Sequence, residues 1–100
     1  MKIALLHAHF DDQHLSKIIE EMEKLGSPKI KAVWIEAYYH YAALEGCHRL
    51  RACEILGLTP EIEEIEYSDN TLESLGLDCK DGVTISEICD GSYNSIIIDF

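Results

Sequence analysis

The stretch Leu44-Glu45-Gly46-Cys47-His48-Arg49-Leu50-Arg51-Ala52 constrains this chain more than any other. It joins a strand-like run, Tyr39 to Leu44, to a helix-like one, Cys47 to Leu56, that stops at Gly57. A glycine at such a junction can adopt backbone angles that residues with side chains resist. The amides after it would be the first free N–H groups of a helix, with the positive end of the helix dipole behind them. Arg49 and Arg51 add full positive charge, and His48 offers two ring nitrogens. A strand–turn–helix of this kind is a ready anion site, above all for phosphate. Cys47 stands where a thiol can be activated as a nucleophile.

One hundred residues, 47% of them apolar, are enough for a single domain, 1–100, with a real core. No apolar run approaches the roughly 20 residues of a membrane span. Met1 to Leu6, soon followed by His7 and His9, reads as a first strand rather than a secretory signal. The four cysteines form no C-x-x-C pair, and Cys47 and Cys53 fall on different faces of one helix, so they are not expected to bridge. Free thiols fit a reducing, cytoplasmic setting. Cys53, Cys79 and Cys89 read as small hydrophobes. Eight basic against nineteen acidic residues give a net charge of −11. That charge opposes non-specific attraction to nucleic acid or an anionic membrane, so neither direct DNA binding nor membrane binding is expected. A local basic spot can still hold one small anion.

In chain order, Lys2 to Ala8 reads as a short buried strand and Phe10 to Gln13 as a turn, with Asp11 or Asp12 as a helix N-cap. From Gln13 to Leu25 the apolar residues Leu15, Ile18, Ile19, Met22 and Leu25 recur at helical spacing, ended by Gly26-Ser27-Pro28. Lys29 to Ile35 alternates as a strand, with Ile30, Ala32 and Trp34 on one face, and Glu36-Ala37-Tyr38 links it to Tyr39–Leu44 as a hairpin. Glu61 to Tyr67 reads as a further strand. Thr71 to Leu77 reads as a short helix, and Val83 to Cys89 as a helix or a loop, with Thr84 and Glu87 at capping-box spacing. Ser95 to Phe100 is a β-branched run that should return as a strand. Strands and helices mix without strict alternation, which predicts an α+β fold: a small mixed sheet with helices packed against it.

The same residues carry a family resemblance. Pro28-Lys29-Ile30, Trp34-Ile35, Tyr38-Tyr39, Gly46 to Ala52 and Leu56-Gly57-Leu58-Thr59-Pro60 together resemble the ParB N-terminal/sulfiredoxin-like superfamily, most strongly over 14–67. Gly46-Cys47-His48-Arg49 is similar to the sulfiredoxin G-C-H-R signature, and Gly46-x-x-Arg49-x-Arg51-Ala52 to the G-x-x-R-x-R-A box of ParB-type domains (the ParB-like nuclease domain). The resemblance implies that the turn binds nucleotide phosphates: ATP, CTP or another nucleotide, with Mg²⁺ as an accompanying ion. It implies Cys47 as a catalytic cysteine and His48 and Arg49 as phosphate ligands. His14 falls near the nucleotide-facing positions of the preceding helix. ParB proteins add a helix-turn-helix domain after this module; none is read in the remaining residues, so DNA partition is not expected.

Other signals have plainer readings beside the functional ones. His7-Ala8-His9-Phe10-Asp11-Asp12 partly matches a metallohydrolase pattern, but strand-end polar residues account for it more simply, and no metal site is expected. Glu61, Glu63, Glu64 and Glu66 read as a solvated strand face. Trp34, Tyr38, Tyr39 and Tyr41 read as core or hairpin-edge aromatics. The expectation is a nucleotide-binding domain in which Gly46, Cys47, His48, Arg49, Arg51 and His14 form the site. Phosphoryl transfer or nucleotide hydrolysis is its first chemistry, and sulfiredoxin-like reduction of a cysteine sulfinic acid by Cys47 its second. A non-catalytic module that docks a protein partner is the alternative.

Overall fold

The computed structural model describes residues 1–77 and 82–100, so the expectation for Cys79 lies outside the described residues. Strand β1 (Lys2–Ala4) is followed by α1 (Asp12–Leu25), β2 (Lys29–Ile35), β3 (His40–Ala43) and α2 (Cys47–Leu56). Then come β4 (Glu61–Glu64), α3 (Ile85–Gly91) and β5 (Ile97–Asp99), with short 3-10 turns at Glu36–Tyr38, Leu72–Leu75 and Ser92–Asn94. The strands form one five-stranded mixed sheet in the order β4-β2-β3-β1-β5. Strands β2 and β3 make the expected antiparallel hairpin, with Trp34 opposite Tyr41. Strand β1 lies parallel to β3, β4 lies parallel to β2, and β5 closes antiparallel on β1.

Both faces of the sheet are covered, which explains why β2 alternates only weakly in burial. On one face Ile3, Ile30, Ala43 and Ile98 pack with Cys47 and Leu50 of α2. On the other, Val33, Ala42 and Leu44 pack with Leu72, Ile85 and Cys89. A third cluster, Leu15 and Met22 against Ala52 and Cys53, joins α1 to the back of α2. Helix α2 is therefore buried on two sides. Burial pushes the Cys53 and Cys89 thiols up to about 11, as expected for cysteines serving as small hydrophobes. Among the described residues, no helix is long and apolar enough to cross a membrane.

Local chemistry sets the element ends. The Asp11 carboxylate caps α1 by accepting the His14 amide at 2.9 Å, and Thr84 Oγ1 caps α3 by accepting the Glu87 amide at 3.2 Å. The first strand is shorter than the expected Lys2–Ala8. After Leu5, whose amide reaches Ile96 O at 2.8 Å, the chain leaves the sheet through exposed His7 to Phe10 to reach α1. The hairpin resumes at His40 rather than Tyr39, because Tyr39 closes the 3-10 turn in the left-handed region at φ 52°. Leu25 is 83% exposed, so it does not belong to the core that its spacing suggested, and Trp34, 36% exposed, is a hairpin-edge aromatic.

Gly46 carries the strongest local constraint. Its φ is 76°, and a Cβ placed there would stand 2.6 Å from Ile30 Cδ1 and 3.3 Å from an Arg49 guanidinium nitrogen. Left-handed strain of about 1–2 kcal/mol and overpacking of about 1–3 kcal/mol should make Gly46→Ala cost roughly 2–5 kcal/mol. Ile30→Val removes the clashing methyl at a cost of its own of about 0.5–1.5 kcal/mol. Urea unfolding of the double variant should therefore show less than the summed loss; strictly additive losses would contradict this packing.

Candidate functional site

Because β1 and β3 are parallel neighbours, their carboxyl ends open at the same end of the sheet. Each leads into a helix, so the N-termini of α1 and α2 arrive side by side. Crevices outside the carboxyl ends of parallel strands are where α/β sheets take ligands. A cleft of about 340 Å³ lies there. Its polar lining comes from His7, His14, Glu45, Gly46, His48 and Arg49, and its apolar lining from Leu6, Ile18, Leu44, Cys47 and Leu77.

The two helix ends differ. The α1 terminus is closed by the Asp11 carboxylate, which the His14 amide holds below its ordinary 3.8. At α2 the N-cap is Gly46, which has no side chain to offer. Its carbonyl accepts the Leu50 amide at 2.8 Å, while the amides of Cys47, His48 and Arg49 have no hydrogen-bond partner among the described residues. These donors and the positive end of the α2 dipole are what the cleft presents to a ligand.

The sequence-predicted residues divide into three groups. Gly46, His14, His48 and Arg49 come together around the cleft. Arg51 does not. One of its guanidinium nitrogens donates to Ala8 O at 3.0 Å, and the group lies 4.5 Å from the Phe10 ring centroid, so it fastens the loop between β1 and α1 to α2. Cys47 lines the cleft but is only 4% exposed, and it packs with Ile3, Ile30 and Leu50. Its side chain thus lies at the floor of the cleft, where it belongs to the core as well as to the lining.

Two further roles depend on contacts across the fold. Glu45, one residue before the turn, would set a carboxylate beside an anion site. It is instead matched by Arg49, whose guanidinium donates to Glu45 Oε1 at 2.8 Å and to Lys29 O at 3.2 Å. The Lys31 amide donates to Glu45 Oε2 at 3.0 Å, and Lys31 Nζ lies 3.9 Å from the same oxygen. Arg49 is thus partly committed before any ligand arrives. The Glu45–Arg49 pair was visible as an i, i+4 spacing; Lys31 gave no signal.

His48 is a structural acceptor as well as a lining group. Its Nε2 accepts the Asp11 amide at 2.9 Å, which fixes the ring neutral with the proton on Nδ1 and ties α1's first turn to α2's. The His14 ring meets it edge-on, with centroids 4.5 Å apart. Desolvation first, then the neighbouring His14 and His7, hold the His48 pKa below 6.5. Desolvation likewise lowers that of buried His40, whose Nε2 lies 2.8 Å from Ser92 Oγ. His7 and His9 stand with ring centroids 6.4 Å apart, and among the described residues no three His, Cys, Asp or Glu side chains group as metal ligands.

Both histidines favour the neutral ring in the folded state, so unfolding takes up protons in this window. Their contribution to stability is complete above pH 6.5 and is lost as pH falls through their lowered values. Urea midpoints should therefore fall between pH 7 and pH 5, and less steeply in His48→Gln. A flat profile would contradict the neutral Nε2 acceptor. No protein-family model, curated protein or solved structure matches the chain, so the site is defined by its own geometry.

Proposed function

We propose that the chain is a small phosphate-binding domain of the ParB/sulfiredoxin-like kind that takes the phosphate end of a nucleotide at the N-terminus of α2. The observation that carries this reading is the set of unpartnered Cys47, His48 and Arg49 amides opening on the cleft. His14, His48 and the Arg49 guanidinium supply donors and charge around them. Arg49 also pairs with the Glu45 carboxylate that lines the cleft and offsets its charge, which makes it a positioning group as much as a ligand. Mg²⁺ fits this site as a companion of the phosphate oxygens, its usual habit, rather than in a cage of protein side chains. Phosphoryl transfer or nucleotide hydrolysis is the chemistry such a site would serve. In it the chain's part would be to orient the phosphates and stabilise their charge. The free thiols of Cys47, Cys53 and Cys89 suit a cytoplasmic setting.

Thermal unfolding with ATP, ADP, CTP and inorganic pyrophosphate, with and without Mg²⁺, tests the reading. A ligand at ~10 times its Kd should add about 1.4 kcal/mol, or roughly 5–10 °C for a domain of this size. His14→Glu is the sharpest variant. It places a carboxylate in the cleft, and an acidic side chain in the first turn of α1 suits the positive end of that helix dipole. The unliganded melting temperature should hold or rise as the ligand shift is lost. No shift with any of the four compounds would favour the non-catalytic interaction module instead.

A further inference from the structure

The two edges of the sheet are not alike. Strand β4 carries Glu61, Glu63 and Glu64 on one outer edge, and like charges of this kind deter edge-to-edge pairing. The other outer edge, β5, carries Ile96, Ile97 and Ile98 in succession, with Ile96 45% and Ile97 42% exposed. The register fixes which of its main-chain groups are used. Leu5 N donates to Ile96 O, Phe100 N donates to Met1 O, and Ile3 stands opposite Ile98. Residues 96, 98 and 100 therefore turn their backbone groups toward β1. In an antiparallel ladder the alternate residues, Ile97 and Asp99, turn theirs outward.

From this we infer that β5 pairs with β5 of a second copy, antiparallel about a two-fold axis at Ile97. The sequence is self-complementary in that register. Ile97 meets Ile97 of the second copy, Ile96 meets Ile98, and Ser95 meets Asp99, so no like charges face one another. The Ile97 amide and carbonyl form a reciprocal pair across the axis, and each Asp99 amide meets a Ser95 carbonyl. Ser95's own amide is already given to Ser92 O. The result is a continuous ten-stranded sheet with the glutamate-bearing β4 at both outer ends. Each copy carries −11, so the pairing works against repulsion and strengthens as salt screens it. The inference is independent of any ligand in the cleft.

Sedimentation of the full chain between ~10 µM and ~1 mM, at low and high salt, should show a monomer–dimer equilibrium that salt favours. Hydrogen exchange should protect the Ile97 and Asp99 amides increasingly with concentration, while Ile98 and Phe100 stay protected throughout. Ile97→Lys should leave a monomer. Ser95→Lys, which faces Asp99 of the other copy, should tighten the dimer by roughly 2- to 30-fold over two symmetric pairs, and Ser95→Asp should weaken it. Ser27→Lys, the same charge change on an exposed residue away from this edge, should do neither to that extent. A monomer at ~1 mM in every salt would overturn the inference. So would a dimer whose Ile97 and Asp99 amides exchange unchanged, or one indifferent to the sign of charge at position 95.

Discussion

Burial of helix α2 on two sides is the constraint on which the rest of the structure depends. Leu50 on the sheet side, and Ala52 and Cys53 on the α1 side, are fully inaccessible to solvent, and Cys47 nearly so. A helix held this way cannot slide or tilt to relieve its first turn. That turn must therefore begin where β3 delivers it, at Gly46, in a left-handed conformation with no room for a side chain. A position that admits no side chain also admits no side-chain cap. The open amides of Cys47, His48 and Arg49 are thus a consequence of packing beneath them, and their availability to a ligand follows from the fold.

The contacts around that turn share a theme of anchoring. His48 gives its lone pair to the Asp11 amide, Arg51 reaches Ala8 O and Phe10, and Arg49 reaches Glu45 and Lys29 O. Each cationic or basic residue of the signature stretch is engaged with protein before any ligand is considered. Two of the three still line the cleft. Preformed groups of this kind lose little freedom on meeting a ligand, which favours recognition by fixed geometry over recruitment of loose side chains.

Much of this was legible in the sequence, and what was not is informative. The α+β class, the hairpin, α1 with its Asp11 cap, α2 with its Gly57 stop and the Thr84 cap all followed from local periodicity and capping chemistry. The parallel pairing of β4 with β2 was not legible, because it depends on partners some thirty residues apart and on a strand of alternating glutamates that looks solvent-facing by itself. The surroundings of Arg51 and Cys47 were not legible for a related reason. Helical spacing places both beside the turn, but only the fold shows that Arg51 faces the loop after β1 and that Cys47 faces Ile3 and Ile30. Of the two readings open for Trp34, core or hairpin edge, the fold takes the second: it stands against Tyr39 and Tyr41, 36% exposed.

Backbone amide chemical shifts in a titration with pyrophosphate test the central claim most directly. An anion held by the first turn of α2 should move the Cys47, His48 and Arg49 amide resonances together and saturably, with smaller movements at Asp11 and His14 across the cleft. Shifts confined to other surfaces, or none in the first turn of α2 as the ligand is raised to millimolar levels, would contradict it.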